Sequence, residues 1–105
     1  MERMAWTGCI KPGAKDEYIR RHDEIWPEMK QVLKEAGICN YSIFVTGDTL
    51  FGYYECSRGI EYAEMVQAKS EVVERWNEYM KDILELEMDP ETGAQPKLEM
   101  VFRFD

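Results

Sequence analysis

Basic charge is scarce in this chain. Against 21 acidic residues stand 13 lysines and arginines, for a formal net charge of −8, and a surface of that sign repels both the backbone of a nucleic acid and anionic lipid. Long hydrophobic runs are missing too. No stretch approaches the roughly 20 apolar residues of a membrane span, and the segment from Met1 to Ile10 lacks the continuous apolar core of a secretory signal. Cys9, Cys39 and Cys56 form neither an even set nor a C-x-x-C pair, which argues against a disulfide framework and a zinc site and for reduced thiols in a cytoplasmic protein. With one histidine, no acidic cluster at ligand spacing and no G-x-x-x-x-G-K-S loop, neither a metal nor a cofactor is expected. What remains is a small-molecule substrate or a second copy of the chain, with no nucleic-acid or membrane partner.

What is present suits one domain spanning residues 1–105, with 45% apolar residues and 12% aromatics. A chain of this size can bury about 60 to 65% of its unfolded surface, enough for one modest core. Met4, Trp6 and Ile10 alternate with Ala5, Thr7 and Cys9 as a first strand, which Pro12-Gly13 ends. Asp16 is placed to cap a helix running to about Ile25. Pro27 pushes Trp26 out of helical geometry yet suits the first position of a new helix, whose Met29, Val32, Leu33 and Ala36 share a face and which Gly37 stops.

The next segments predict a hairpin. Ile38 to Thr46 carries Cys39, Tyr41, Ile43 and Val45 on one side, Gly47-Asp48 makes the turn, and Thr49 to Cys56 returns. A short helix over Glu61 to Ala68 is followed by a longer one on which Val72, Val73, Trp76, Tyr79, Met80 and Ile83 recur, with Glu71 and Glu74 at its dipole-favoured start. Glu85 to Pro96 reads as a polar loop, and Leu98, Met100, Phe102 and Phe104 alternate as a closing strand. The order β-α-β-β-α-β is the ferredoxin-like α+β pattern, an antiparallel sheet with helices on one face. Neither face of the first and last strands looks fully solvated, so a second copy is expected on the other side, making a homodimer.

The lone histidine, His22, is the side chain whose ordinary pKa permits proton exchange near neutrality. Tyr18 and His22 are four residues apart on one helix face, and Trp26 continues roughly the same line. A phenol, an imidazole and an indole together suit a sugar, because aromatic planes cover its C–H surface while O–H and N–H groups bind hydroxyls. Arg20-Arg21 is a short basic pair that ordinarily reads as a solvated face, with Arg21 the one that could reach a substrate hydroxyl.

Tyr18-Ile19-Arg20-Arg21-His22, Ile25-Trp26-Pro27-Glu28 and Asn40-Tyr41-Ser42-Ile43 resemble the signature of the L-rhamnose mutarotase family. The likeness continues through Leu50-Phe51-Gly52-Tyr53-Tyr54-Glu55, Arg75-Trp76 and Glu99-Met100-Val101-Phe102. The resemblance implies a dimeric ferredoxin-like barrel and a cofactor-free isomerase of carbohydrate metabolism that interconverts the α and β anomers of L-rhamnose or a related 6-deoxy sugar. It makes His22 the proton donor and Tyr18, Tyr41 and Trp76 the sugar-binding residues; beside it, the aromatic plane of Trp26 is a further candidate to stack on the apolar face of a 6-deoxy sugar. One position departs: where the family commonly has a second tryptophan, this chain has Asn77, an amide that binds hydroxyls and bears on which sugar is preferred. Mutarotation needs a proton delivered to the ring oxygen and one removed from the anomeric hydroxyl, and His22 is the candidate for the first. Two other readings of such a fold stand beside it: a small monooxygenase or haem-handling protein, and a non-catalytic sugar-binding module.

Overall fold

The computed structural model describes residues 1–85 and 97–104. Its elements run β1 (Glu2–Cys9), α1 (Lys15–Asp23), α2 (Pro27–Glu35), β2 (Ile38–Thr46), β3 (Thr49–Cys56), α3 (Ile60–Ala68) and α4 (Glu71–Met80). The strands form an antiparallel sheet in the order β1-β3-β2. Met4 and Trp6 of β1, Leu50, Tyr54 and Cys56 of β3, and Ile38 of β2 join Met29, Ala63, Trp76 and Met80 of the helices in one buried cluster. The helices therefore cover one face, and the architecture is the α+β, ferredoxin-like type expected from the order of elements.

Local chemistry explains most boundaries. Trp26 is extended, with ψ 138°, and Pro27 opens α2, where its missing N–H and set φ cost nothing. Gly37 adopts φ +77° just past α2, a left-handed geometry that a side chain would strain. Ser70 caps α4 by accepting from Val73 N–H. Asp16, in contrast, is not the cap of α1: Ala14 holds that position without a side-chain bond, and Asp16 sits in the first turn, where its charge still suits the helix dipole.

Two expectations about strands are corrected. In β2 the register shifts between Cys39 and Ser42, so that Asn40 and Tyr41 together oppose Tyr54. Asn40 takes φ +50°, a conformation asparagine tolerates better than most residues. Ile38 and Ile43 are an odd number of positions apart, and plain alternation would send them to opposite faces. The bulge puts Ile38, Tyr41, Ile43 and Val45 together on the helix side and leaves Cys39 opposite Glu55 on the other.

The closing strand is the second correction. Lys97 bridges Trp6 and Leu98 N–H donates to Ala5 O at 2.8 Å, but 98–104 forms no strand in this chain. Val101, Phe102 and Phe104 are at least 80% exposed, so after touching the edge of β1 the segment leaves its own sheet. The expected loop over residues 85–96 lies, except for Glu85, outside the described residues.

Candidate active site

Tyr18 and His22 lie one turn apart on α1, and their rings stack with centroids 4.2 Å apart. The His22 ring meets Trp76 of α4 edge-on at 5.5 Å. Trp26, at the corner between α1 and α2, is edge-on to Trp76 at 5.1 Å and tilted against Tyr79 at 5.4 Å. Tyr18, His22 and Trp26, which the sequence spacing put on one line, thus share one aromatic cluster with Trp76. From the sheet, Tyr41 leans on Tyr54 at 4.9 Å and lies near enough to Tyr18 for the two phenols to interact electrostatically.

The half-buried His22 ring makes a hydrogen bond between Nδ1 and Tyr18 O at 3.1 Å. A carbonyl oxygen only accepts, so Nδ1 carries the hydrogen and Nε2 is the nitrogen that can gain or lose a proton. Burial lowers the His22 pKa below its ordinary 6.5, partly opposed by the bond to Tyr18 O and the nearby Asp23. Neutral imidazole with a lone pair on Nε2 is thus the prevailing form at pH 7. The Tyr18 and Tyr41 phenols are pushed the other way, well above their usual range, by burial. Tyr41 keeps partial exposure through its place on an edge strand, while its hydroxyl end is enclosed. Both phenols hold their hydrogens at neutral pH and serve as donors rather than bases.

Arg21 has a different employment from the one expected. It is buried, and its Nε donates to Glu17 Oε2 at 2.6 Å, its Nη1 to Tyr79 O and Asp82 Oδ1 at 2.8 Å each, and its Nη2 to Asp82 Oδ2 at 3.2 Å. All but one of its N–H groups are occupied, and the guanidinium stacks over Tyr79 at 4.4 Å. It ties α1 to the end of α4 instead of facing a sugar, and with Arg20 it draws the Glu17 carboxyl down to about 2. Asn77 is exposed and outside the ring contacts that join Trp76 to the cluster.

Three residues of this neighbourhood carried no functional reading in the sequence: Tyr79, Tyr54 and Trp6. Tyr79 and Tyr54 were legible as apolar positions of an element, but contact with Trp26 or Tyr41 depends on long-range packing. A shallow depression of about 430 Å³ elsewhere is lined by Glu2, Arg58, Gly59, Glu61, Tyr62 and Met65. Its one aromatic ring is already covered by Arg58 at 4.0 Å, so it does not compete as a sugar platform. Among the described residues no group of three or more His, Cys, Asp or Glu side chains could hold a metal ion.

Comparison with known proteins shows the family. The family model described as L-rhamnose mutarotase matches residues 3–104. The chain belongs to the L-rhamnose mutarotase family. An L-rhamnose mutarotase of Listeria monocytogenes is 45% identical over 86 residues, covering 80% of this chain and 81% of the relative. One from Flavobacterium johnsoniae is 38% identical, covering 98% and 95%. The crystal structure of the L-rhamnose mutarotase of Formosa agariphila superposes with a TM-score of 0.82 at 35% identity over the full length of both chains. Tetracenomycin F2 cyclase of Streptomyces glaucescens, with a TM-score of 0.69 at 16% identity, shares the fold alone. The activity is that of an L-rhamnose mutarotase, an isomerase that interconverts the anomers of L-rhamnose. Neither the monooxygenase or haem reading nor the non-catalytic one is favoured by these likenesses.

Proposed function

We propose that His22 moves the proton in this reaction, within a site formed by Tyr18, Tyr41, Trp76 and Trp26. The observation that carries the reading is the bond from His22 Nδ1 to Tyr18 O, because it leaves Nε2 as the working nitrogen amid aromatic rings. Neutral Nε2 takes the hydrogen of the anomeric hydroxyl, C1=O forms as the bond from C1 to the ring oxygen breaks, and the imidazolium delivers that hydrogen to the departing ring oxygen. Rotation about the bond from C1 to C2 followed by the reverse sequence gives the other anomer. Tyr18 and Tyr41 donate to sugar oxygens, and the Trp76 and Trp26 planes lie against C–H surface. In this reading Arg21 is a structural clamp, and Asn77 lies too exposed to share the aromatic platform.

The test is saturation transfer between the anomeric NMR signals of L-rhamnose. His22→Ala is expected to slow exchange by about 10² to 10⁴, the usual contribution of a general acid or base, while circular dichroism reports an intact fold. Wild-type exchange in that variant removes His22 from the mechanism. A panel including L-fucose and other aldoses reads the breadth of sugar preference.

The active form in this reading is a homodimer. Phe44, Phe51, Val101, Phe102 and Phe104 are exposed on the chain, and large apolar side chains gathered on one surface mark association sites. A second copy laid on the open sheet face, with the 98–104 segment paired to its sheet, would cover them. Sedimentation showing only the 12.4 kDa chain mass at micromolar concentration sinks this assembly. The free thiols of Cys9, Cys39 and Cys56 and the acidic surface support one domain at work in the cytoplasm, apart from nucleic acids and membranes. No helix among the described residues is long and apolar enough to cross a bilayer.

A further inference from the structure

Trp6 and Tyr41 belong to strands that are not neighbours, because β3 lies between β1 and β2. Even so, Trp6 Nε1 donates a hydrogen bond to Tyr41 Oη at 3.0 Å. The indole reaches that oxygen by lying across β3 at Gly52, the residue paired with Trp6 on one side and with Ile43 on the other. A Cβ at Gly52 would stand 1.9 Å from Trp6 Cε2 and 2.2 Å from Nε1. Only a residue without a side chain leaves the passage open. The φ of Gly52 is not in the left-handed region, so the space taken by Trp6, and not backbone conformation, calls for glycine here.

The bulge at Asn40 and Tyr41 turns the Tyr41 ring to the helix side, where it meets Tyr54 and approaches Tyr18. An indole N–H donates and never accepts, so the Tyr41 oxygen is committed as acceptor toward Trp6 and its own hydrogen must point elsewhere. We propose that Trp6 is a positioning residue of the sugar site, one that turns Tyr41 into an oriented donor, with Gly52 as the gap through which the indole reaches it. The sugar atom addressed is an oxygen with a lone pair, either the ring oxygen or a hydroxyl. Burial, which raises the Tyr41 pKa, keeps the phenol hydrogen in place for this task. The inference rests on Tyr41 being a sugar contact, as in the reading above.

A double-mutant cycle on L-rhamnose exchange tests it, with Trp6→Phe, Tyr41→Phe and the pair. Tyr41→Phe is expected to raise KM by about tenfold and Trp6→Phe by about threefold, with kcat altered less than KM, as loss of one neutral hydrogen bond allows. Trp6→Phe added to Tyr41→Phe should cost nothing further, because its only functional outlet is gone. The same threefold cost in both backgrounds shows that Trp6 acts through packing and overturns the proposal, as does wild-type KM in Trp6→Phe. Wild-type KM in Tyr41→Phe instead sinks the assignment of Tyr41 itself. Should Trp6→Phe not fold, the indole N–H resonances of Trp6, Trp26 and Trp76 decide: one must move upfield in Tyr41→Phe and shift when L-rhamnose binds. A Trp6 resonance indifferent to both refutes the coupling.

Discussion

The two faces of the sheet are written in the same alternating residues but have opposite fates. Toward the helices, Trp6, Leu50 and Tyr54 are at most 4% exposed, and Trp6 spans two strands to bind Tyr41. On the other face Thr7 pairs with Phe51 and Phe51 with Phe44, a row in which Phe44 remains 65% exposed. The helix side is finished within one chain; among the described residues the open side mixes exposed phenyl rings with polar groups that converge on Glu55. Each strand must satisfy both faces at once, so the residue that suits the inside at Gly52 sits directly beside the exposed phenyl ring of Phe51. This separates two kinds of constraint: shape on the inside and, in the proposed dimer, partnership on the outside.

The largest effect expected from breaking that contrast is at Gly52. Gly52→Ala should destabilise the chain by about 3 kcal/mol, at the upper end for overpacking, because the methyl group meets the Trp6 ring at sub-contact distance. Denaturant unfolding of the variant measures it, and Trp6→Phe in the same chain should restore part of the loss by returning space. Equal stabilities of wild type and Gly52→Ala would mean that the indole does not lie across β3.

The matching change outside is Phe44→Ser. Because the ring is mostly exposed on the chain, intramolecular stability should change by no more than about 0.5 kcal/mol. If the proposed homodimer forms, the effect belongs to association: about a tenfold rise in its dissociation constant, equivalent to about 1.4 kcal/mol. Sedimentation equilibrium reads this directly. A large fall in unfolding free energy without any change in association would erase the distinction between the faces.

How far the sequence foretold this arrangement follows the same division between local and long-range causes. Pro27, Gly37 and Gly47-Asp48 mark their boundaries through backbone chemistry that needs no tertiary context, and they fall where the structure has them. Tyr18 and His22 were legible because helix geometry alone stacks residues four apart. The roles of Tyr41 and Trp76 came only through family resemblance, since their elements are far apart in the chain. The bulge at Asn40 was not legible, as it breaks the very period by which a strand is read. For Leu98 to Phe104 the alternation is real, but period-two patterning does not supply the neighbouring strand that a segment needs to pair, and the segment forms no strand in this chain. Arg21 went astray because its partner Asp82 lies 61 positions away, beyond what a sequence pattern can pair.

The smallest expected effect sharpens the contrast through protons. On the helix side, burial comes first among the causes that raise Tyr18 and Tyr41 and lower His22. On the open face Tyr53 is raised chiefly because it donates to Glu55 at 2.8 Å, with burial second. The folded His22 pKa lies below the unfolded value of about 6.5, so in the window just under that pH the unfolded chain binds more protons and folding stability falls as pH is lowered. Glu17, Glu55 and Asp82 have lowered folded pKa values, so the stability they contribute is lost on further acidification, from the ordinary carboxylate values of about 4 downward toward the folded ones. Unfolding free energies measured between pH 7 and pH 3 should therefore decline in two separate windows. His22→Gln is expected to abolish the upper one and leave the lower one intact. The same neutral imidazole must accept the anomeric hydrogen, so the acid limb of kcat/KM should be centred below 6.5. An acid limb centred above 6.5 would mean that His22 is not held by the buried rings around it.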